Sequence, residues 1–166
     1  MDSTEKIKIA KPANGTCFAC GAANPIGLNL QFYCSKNAIC ADITLGKYHV
    51  GWANISHGGI ISTLLDEVMS WTILYFKRIF FVTRKMNLKY IRPVLVGTPL
   101  TIKGQLIESK EPSNKIMAKA EIRDDQGNLL ARSSGEFVAI AKEEMPSDFD
   151  GSKKEIFSVI EKLPPL

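Results

Sequence analysis

Residues 58–76 read Gly58-Gly-Ile-Ile-Ser-Thr-Leu-Leu-Asp66-Glu-Val-Met-Ser-Trp71-Thr-Ile-Leu-Tyr-Phe76. Ile60, Ile61, Leu64, Leu65, Val68, Met69, Trp71, Ile73, Leu74, Tyr75 and Phe76 recur at the three- and four-residue spacing of an α-helix. Ser62, Thr63, Asp66, Glu67 and Ser70 form the complementary polar stripe. A helix so apolar on most of its sides predicts burial inside a wrapping element, and Lys77 and Arg78 suit its negative C-terminal end.

Outward from this helix the period changes to two. Before it, Leu28, Leu30 and Phe32 alternate with Asn29, Gln31 and Tyr33, which predicts a strand over Leu28–Cys34. Ser35-Lys-Asn37 then turns the chain into a second strand, Ala38–Leu45. After the helix the spacing predicts strands over Phe81–Ile91, Pro99–Lys110, Lys115–Arg123 and Leu129–Ala141. Turns at Glu111-Pro-Ser-Asn114 and Asp124-Asp-Gln-Gly127 separate the later ones. Ser152 is expected to cap a short amphipathic helix over 153–162, stopped by Pro164-Pro165.

A flat sheet cannot cover one long apolar helix, but a curved antiparallel sheet wrapped around it can. This order of elements therefore predicts an α+β hotdog fold with one central helix. Three regions follow: a polar lead-in over 1–16, the domain over 17–141, and a polar linker with a short helix over 142–166. Open sheet edges invite pairing, so a homodimer is expected, either alone or as a dimer of dimers forming a homotetramer.

Bulk properties set the limits. The chain has 166 residues, 45% of them apolar and 23% charged, enough for one globular domain with its own core. A formal charge of +4 suits a small anionic ligand, and no basic arm or helix-turn-helix points to nucleic acid. The longest apolar stretch, Val68–Phe81, is broken by Ser70, Thr72, Lys77 and Arg78, so no membrane span is expected. Met1–Lys11 has no apolar signal core, which predicts a cytoplasmic protein. Free thiols are the default there for Cys17, Cys20, Cys34 and Cys40. Cys17-Phe-Ala-Cys20 offers half of a zinc motif without a second pair at similar spacing, so no metal is expected. A redox pair normally opens a helix, whereas Gly21 and Pro25 follow here.

The chemistry-bearing stretch is Asn54-Ile-Ser-His57-Gly58-Gly59, running into the helix that carries Asp66. Backbone N–H groups point outward at a helix start, and glycines let a ligand approach them, as an oxyanion hole requires. A plain tight turn would use the same glycines. Asp66 sits in an apolar helix, where burial disfavours its charged form. It is either a base or nucleophile, or part of a solvated polar stripe. His49 reads as a surface or passive polar neighbour.

His57-Gly-Gly followed by Asp66 nine positions on resembles the hotdog thioesterase superfamily, and within it the phenylacetate-degradation-type and acyl-CoA thioesterases. Asn24-Pro-x-Gly-Leu28 behind Cys-x-x-Cys-Gly, and Thr83 followed by Tyr90-Ile-Arg-Pro93, also resemble one branch. The resemblance spans about residues 17–141. It implies hydrolysis of an acyl-CoA thioester to acid and thiol without a cofactor. The Gly58 N–H would polarise the carbonyl, His57 would shape the turn, Asp66 would activate water or attack directly, and Thr83 would place the water. It also implies that Gly58 comes from one subunit and Asp66 with Thr83 from its neighbour.

Gly59, Asn54 and Trp52 are the candidate substrate contacts around this site, with Arg84 and Lys85 as candidates for coenzyme A phosphates. With Lys89 and Arg92, those two cations could equally form a solvated face. Strict alternation with Met86, Leu88 and Tyr90 would put Thr83 on the opposite face of its strand. Many relatives carry Asn where this chain has Gly51, and Trp52 either fills that volume or joins the core. Two other functions use the same fold. A non-enzymatic acyl-CoA-binding protein would need an output module, for which residues 1–16 are short. A dehydratase looks for a helix histidine, and this helix has none after His57.

Overall fold

The computed structural model describes residues 6–108, 114–145 and 150–165. The strands are β1 (Ile7–Ile9), β2 (Phe32–Ser35), β3 (Ala38–Thr44), β4 (Val50–Trp52), β5 (Ile55–Ser56), β6 (Phe81–Tyr90), β7 (Pro99–Ile107), β8 (Lys115–Asp124) and β9 (Leu129–Ala139). The α-helices among the described residues are α1 (Gly58–Lys77) and α2 (Asp150–Lys162). Seven strands form one antiparallel sheet in the order β1-β2-β3-β7-β8-β9-β6, and β4 pairs with β5 in a separate hairpin. The long α1 packs on β3, β7, β8, β9 and β6, which is the hotdog arrangement.

Local chemistry explains α1. Ile61, Leu64, Leu65, Val68, Met69, Trp71, Thr72, Ile73 and Tyr75 are buried at helical spacing. The His57 side chain caps the first turn, and Arg78 closes the last one in a left-handed conformation with φ +55°. The sheet answers with period two: Leu100, Ile102 and Gly104 of β7 alternate inward. At Gly104 the helix approaches closely. A Cβ there would lie 2.4 Å from Thr72 Oγ1 and 2.9 Å from the Val68 carbonyl oxygen. Gly104→Ala is therefore expected to cost about 1–3 kcal/mol by overpacking. Chemical unfolding of the variant measures this, and an unchanged midpoint would refute the close approach.

Several boundaries differ from the sequence expectation. The strand expected over Leu28–Cys34 begins only at Phe32. Asn29 takes φ +48°, and the Leu28 and Leu30 N–H groups bond to the Phe18 and Ala19 carbonyls, so this segment's partner is the cysteine loop. Within the expected lead-in, Ile7–Ile9 adds an edge strand to β2, with Ile9 buried. The β4–β5 hairpin was not anticipated; it turns through Ala53 at φ +48°. β7 stops at Ile107, and the turn expected at Glu111–Asn114 lies, apart from Asn114, outside the described residues. α2 starts at Asp150, so Ser152 lies within the helix instead of capping it. Val159 and Leu163 join the core, and the Arg78 guanidinium donates to the carbonyls of Ile160 and Pro164. No helix among the described residues is long and apolar enough to cross a membrane.

Candidate active site

The start of α1 is built by the residues before it. The His57 N–H donates to the His49 carbonyl at 2.8 Å, and His49 Nδ1 accepts from the Gly46 N–H at 2.9 Å. Gly51 lies against this turn: a Cβ there would stand 2.9 Å from His57 Cα, so the turn would have to shift to admit a side chain. His57 Nδ1 accepts the Gly59 N–H at 2.9 Å, and the His57 carbonyl accepts from Ile60 and Ile61. Among the described residues, the Gly58 N–H is thus the one donor of that turn without an acceptor. Tyr90 of β6 donates its hydroxyl to the Gly58 carbonyl at 2.9 Å, and a Cβ on Gly58 would come within 3.2 Å of that hydroxyl oxygen.

Asp66 lies eight residues further along α1, half-buried. Thr83 Oγ1 donates to Asp66 Oδ1 at 3.1 Å. Burial pushes the Asp66 carboxyl above the ordinary aspartate value, while the Thr83 hydrogen bond pulls the other way.

Strict alternation would have turned Thr83 away from α1, and a bulge corrects this. Thr83 pairs with Phe137, Lys85 with Glu136 and Met86 with Gly135, so Arg84 is the extra residue in β6. Phe137 and Gly135 share the inner face of β9, which puts Thr83 and Met86 there together. The bulge sends Arg84 the other way, into an ion pair with Glu136 at 3.5 Å. Lys85 is exposed, opposite Glu136.

The structure brings Asp66 to Thr83, and His57, Gly58 and Gly59 to Tyr90, as two groups separated along α1. Trp52 is 80% exposed on the β4–β5 hairpin, so it is not core. Asn54 shares that hairpin turn, where its carbonyl accepts the Val96 N–H at 2.9 Å.

Two contacts were not legible beforehand. One is Tyr90 on Gly58, which depends on β6 returning past the helix start. The other is at Glu67, the neighbour of Asp66. One residue turns ~100° around a helix, so Glu67 points elsewhere, toward Cys17, Cys20 and the Trp71 indole. Burial pushes its carboxyl up to about 7.

The chain superposes on a crystal structure of a thioesterase superfamily protein with a TM-score of 0.69 at 21% identity, covering 78% of this chain and 68% of that one. The PaaI protein of the Escherichia coli phenylacetic acid degradation operon gives 0.62 at 17% identity, over 69% and 81%. A hypothetical thioesterase of Streptococcus pneumoniae, solved with coenzyme A, gives 0.58 at 16%, over 64% and 83%. These likenesses define a hotdog-fold protein. Residues 53–131, just under half of the chain, match the model of the Thioesterase superfamily. A curated relative, verlamelin biosynthesis protein B of Lecanicillium, is 24% identical across 57% of this chain, which spans about half (52%) of the relative's length.

Proposed function

We propose that the chain is an acyl-CoA thioesterase in which Asp66 is the base or nucleophile and the Gly58 N–H is the oxyanion donor. The observation that carries this is Asp66, half-buried on α1 and held at 3.1 Å by the Thr83 hydroxyl. A desolvated carboxylate aimed by one hydrogen bond can take a proton from water or attack a thioester carbon. In the first case hydroxide adds to the carbonyl, the C–S bond breaks, and the proton passes from Asp66 to the departing thiolate. The match to the Thioesterase superfamily model supports thioester chemistry, and the coenzyme A bound to the pneumococcal relative supports the thiol half of the substrate. Two other structures of that relative carry alanine in place of an aspartate and of a threonine 16 positions apart; Asp66 and Thr83 are 17 apart.

Gly58 and Asp66 lie ~12 Å apart along the helix axis, at 1.5 Å per residue. Both must reach one carbonyl within about 3–3.5 Å. Two copies of α1 packed antiparallel about a two-fold axis bring the start of one helix to the middle of the other. The active unit is therefore a homodimer, alone or within a dimer of dimers, with each site shared.

The test is a panel of aliphatic and aromatic acyl-CoA thioesters with detection of free thiol. Multiple turnovers on at least one thioester are the expected result. Stoichiometric binding without thiol release would replace the enzyme with a non-enzymatic acyl-CoA-binding protein.

A further inference from the structure

We propose that Cys17, Cys20 and Glu67 form a site for a divalent metal of zinc-like chemistry, tying the cysteine loop to α1. The site stands independently of the thioesterase proposal. On the sequence alone, Cys17 and Cys20 lack a second ligand pair; in the fold, Glu67 of α1 supplies a third ligand. One donor atom from each of the three residues lies within 4.8 Å of the others, and Cys17 Sγ is 3.8 Å from Glu67 Oε1. Sulfur and oxygen ligands at ~2.3 and ~2.0–2.2 Å from a tetrahedral zinc are themselves ~3.5–3.8 Å apart.

The loop has the build of a metal knuckle. The Gly21 N–H returns to the Cys17 carbonyl at 2.8 Å. A Cβ on Gly21 would lie 2.5 Å from both the Cys17 nitrogen and the Gly15 carbonyl oxygen, so only glycine keeps this turn. The turn presents both sulfurs to the same side. Trp71 supports the third ligand: its indole N–H donates to Glu67 Oε1 at 3.0 Å, and its ring stacks on Phe32 at 4.7 Å. An outer hydrogen bond of this kind orients a ligating carboxylate.

Charge and softness specify the ion. Two thiolates and a carboxylate carry −3. A divalent ion and the nearby Lys11 ammonium, which interacts electrostatically with all three, restore neutrality. Lys11 is itself held by the Cys20 and Leu30 carbonyls. Thiolates disfavour magnesium and calcium and favour zinc. Three protein ligands leave a fourth position for water, and Cys17 and Cys20 line a cavity of about 350 Å³ that can hold one.

The experiment uses the whole chain, reduced and stripped of metal, titrated with cobalt(II) and then zinc. One cobalt per chain is expected, with thiolate-to-cobalt charge-transfer absorption that zinc displaces. Cys17→Ser and Cys20→Ser should each abolish that absorption. Trp71→Phe keeps all three ligands and should weaken affinity by ~10–100-fold, as loss of an outer-shell partner does. Glu67→Gln should weaken it at least as much. The wild-type titration does not depend on any variant folding. No charge-transfer band from a chain with four titratable free thiols would overturn the site. So would a band that survives loss of both Cys17 and Cys20, unchanged affinity in Glu67→Gln, or a Cys17–Cys20 disulfide that persists under the reducing conditions and excludes cobalt.

Discussion

Asp66→Asn is expected to lower acyl-CoA hydrolysis by at least ~10²-fold while leaving the fold intact, the lower range for loss of an acid–base group. The amide keeps the shape of the carboxyl and can still accept the Thr83 hydroxyl through its oxygen. What it loses is the ability to take a proton or to attack. Burial already disfavours the charged carboxylate at this position, and a neutral amide is less costly to hold there than a charge. A companion variant, Thr83→Val, removes only the aiming hydrogen bond and should cost less. Hydrogen bonds to a charged group are worth ~1.5–3 kcal/mol, or roughly 10–100-fold in rate. The measurement is kcat and KM on a thioester the wild-type chain hydrolyses, with circular dichroism to verify folding. Wild-type turnover by Asp66→Asn would remove Asp66 from the chemistry.

Activity should also return when two inactive proteins are refolded together. Gly58→Pro deletes the one first-turn N–H that lacks an acceptor among the described residues. Proline is well tolerated at the first helical position, and His57 at φ −62° and ψ 134° already has the extended backbone that a residue before proline requires. The added ring crowds the Tyr90 hydroxyl, so Tyr90→Phe serves as a control for loss of that contact alone. If each site takes Gly58 from one chain and Asp66 from its partner, a mixed dimer of Gly58→Pro and Asp66→Asn has one doubly damaged site and one intact site. An equal mixture then regains about one quarter of the wild-type sites by random pairing. If a site lies within one chain, every site keeps a lesion. Silence from a mixture shown to contain mixed dimers would end the shared-site model.

Periodicity made the central helix legible: the expected 58–76 run matches α1 at Gly58–Lys77, because burying one apolar stripe requires that spacing wherever the helix packs. The alternating runs after it likewise became β6 to β9, and a long helix with strands on both sides left few ways to cover it. His57, Gly58 and Asp66 stood out because glycines at a helix start and an acid in an apolar helix are locally anomalous.

Tertiary structure decided what local pattern does not encode. A single extra residue, Arg84, reverses the facing of every side chain before it, and only the pairing of β6 with β9 reveals it; that bulge delivers Thr83 to Asp66. Leu28 and Leu30 alternate like a strand yet bond to the cysteine loop, since an irregular chain can also bury every second residue. Ile7–Ile9 becomes an edge strand because β2 offers it unpaired backbone groups, a long-range opportunity invisible in a three-residue window. Glu67 reads as one member of a polar stripe until the loop at residues 17–20 folds back onto α1. The sequence by itself determined the helix and its sheet, because periodic burial is a local property. Which side chains meet across elements was settled only when the chain closed on itself, because register and loop return are properties of the whole fold.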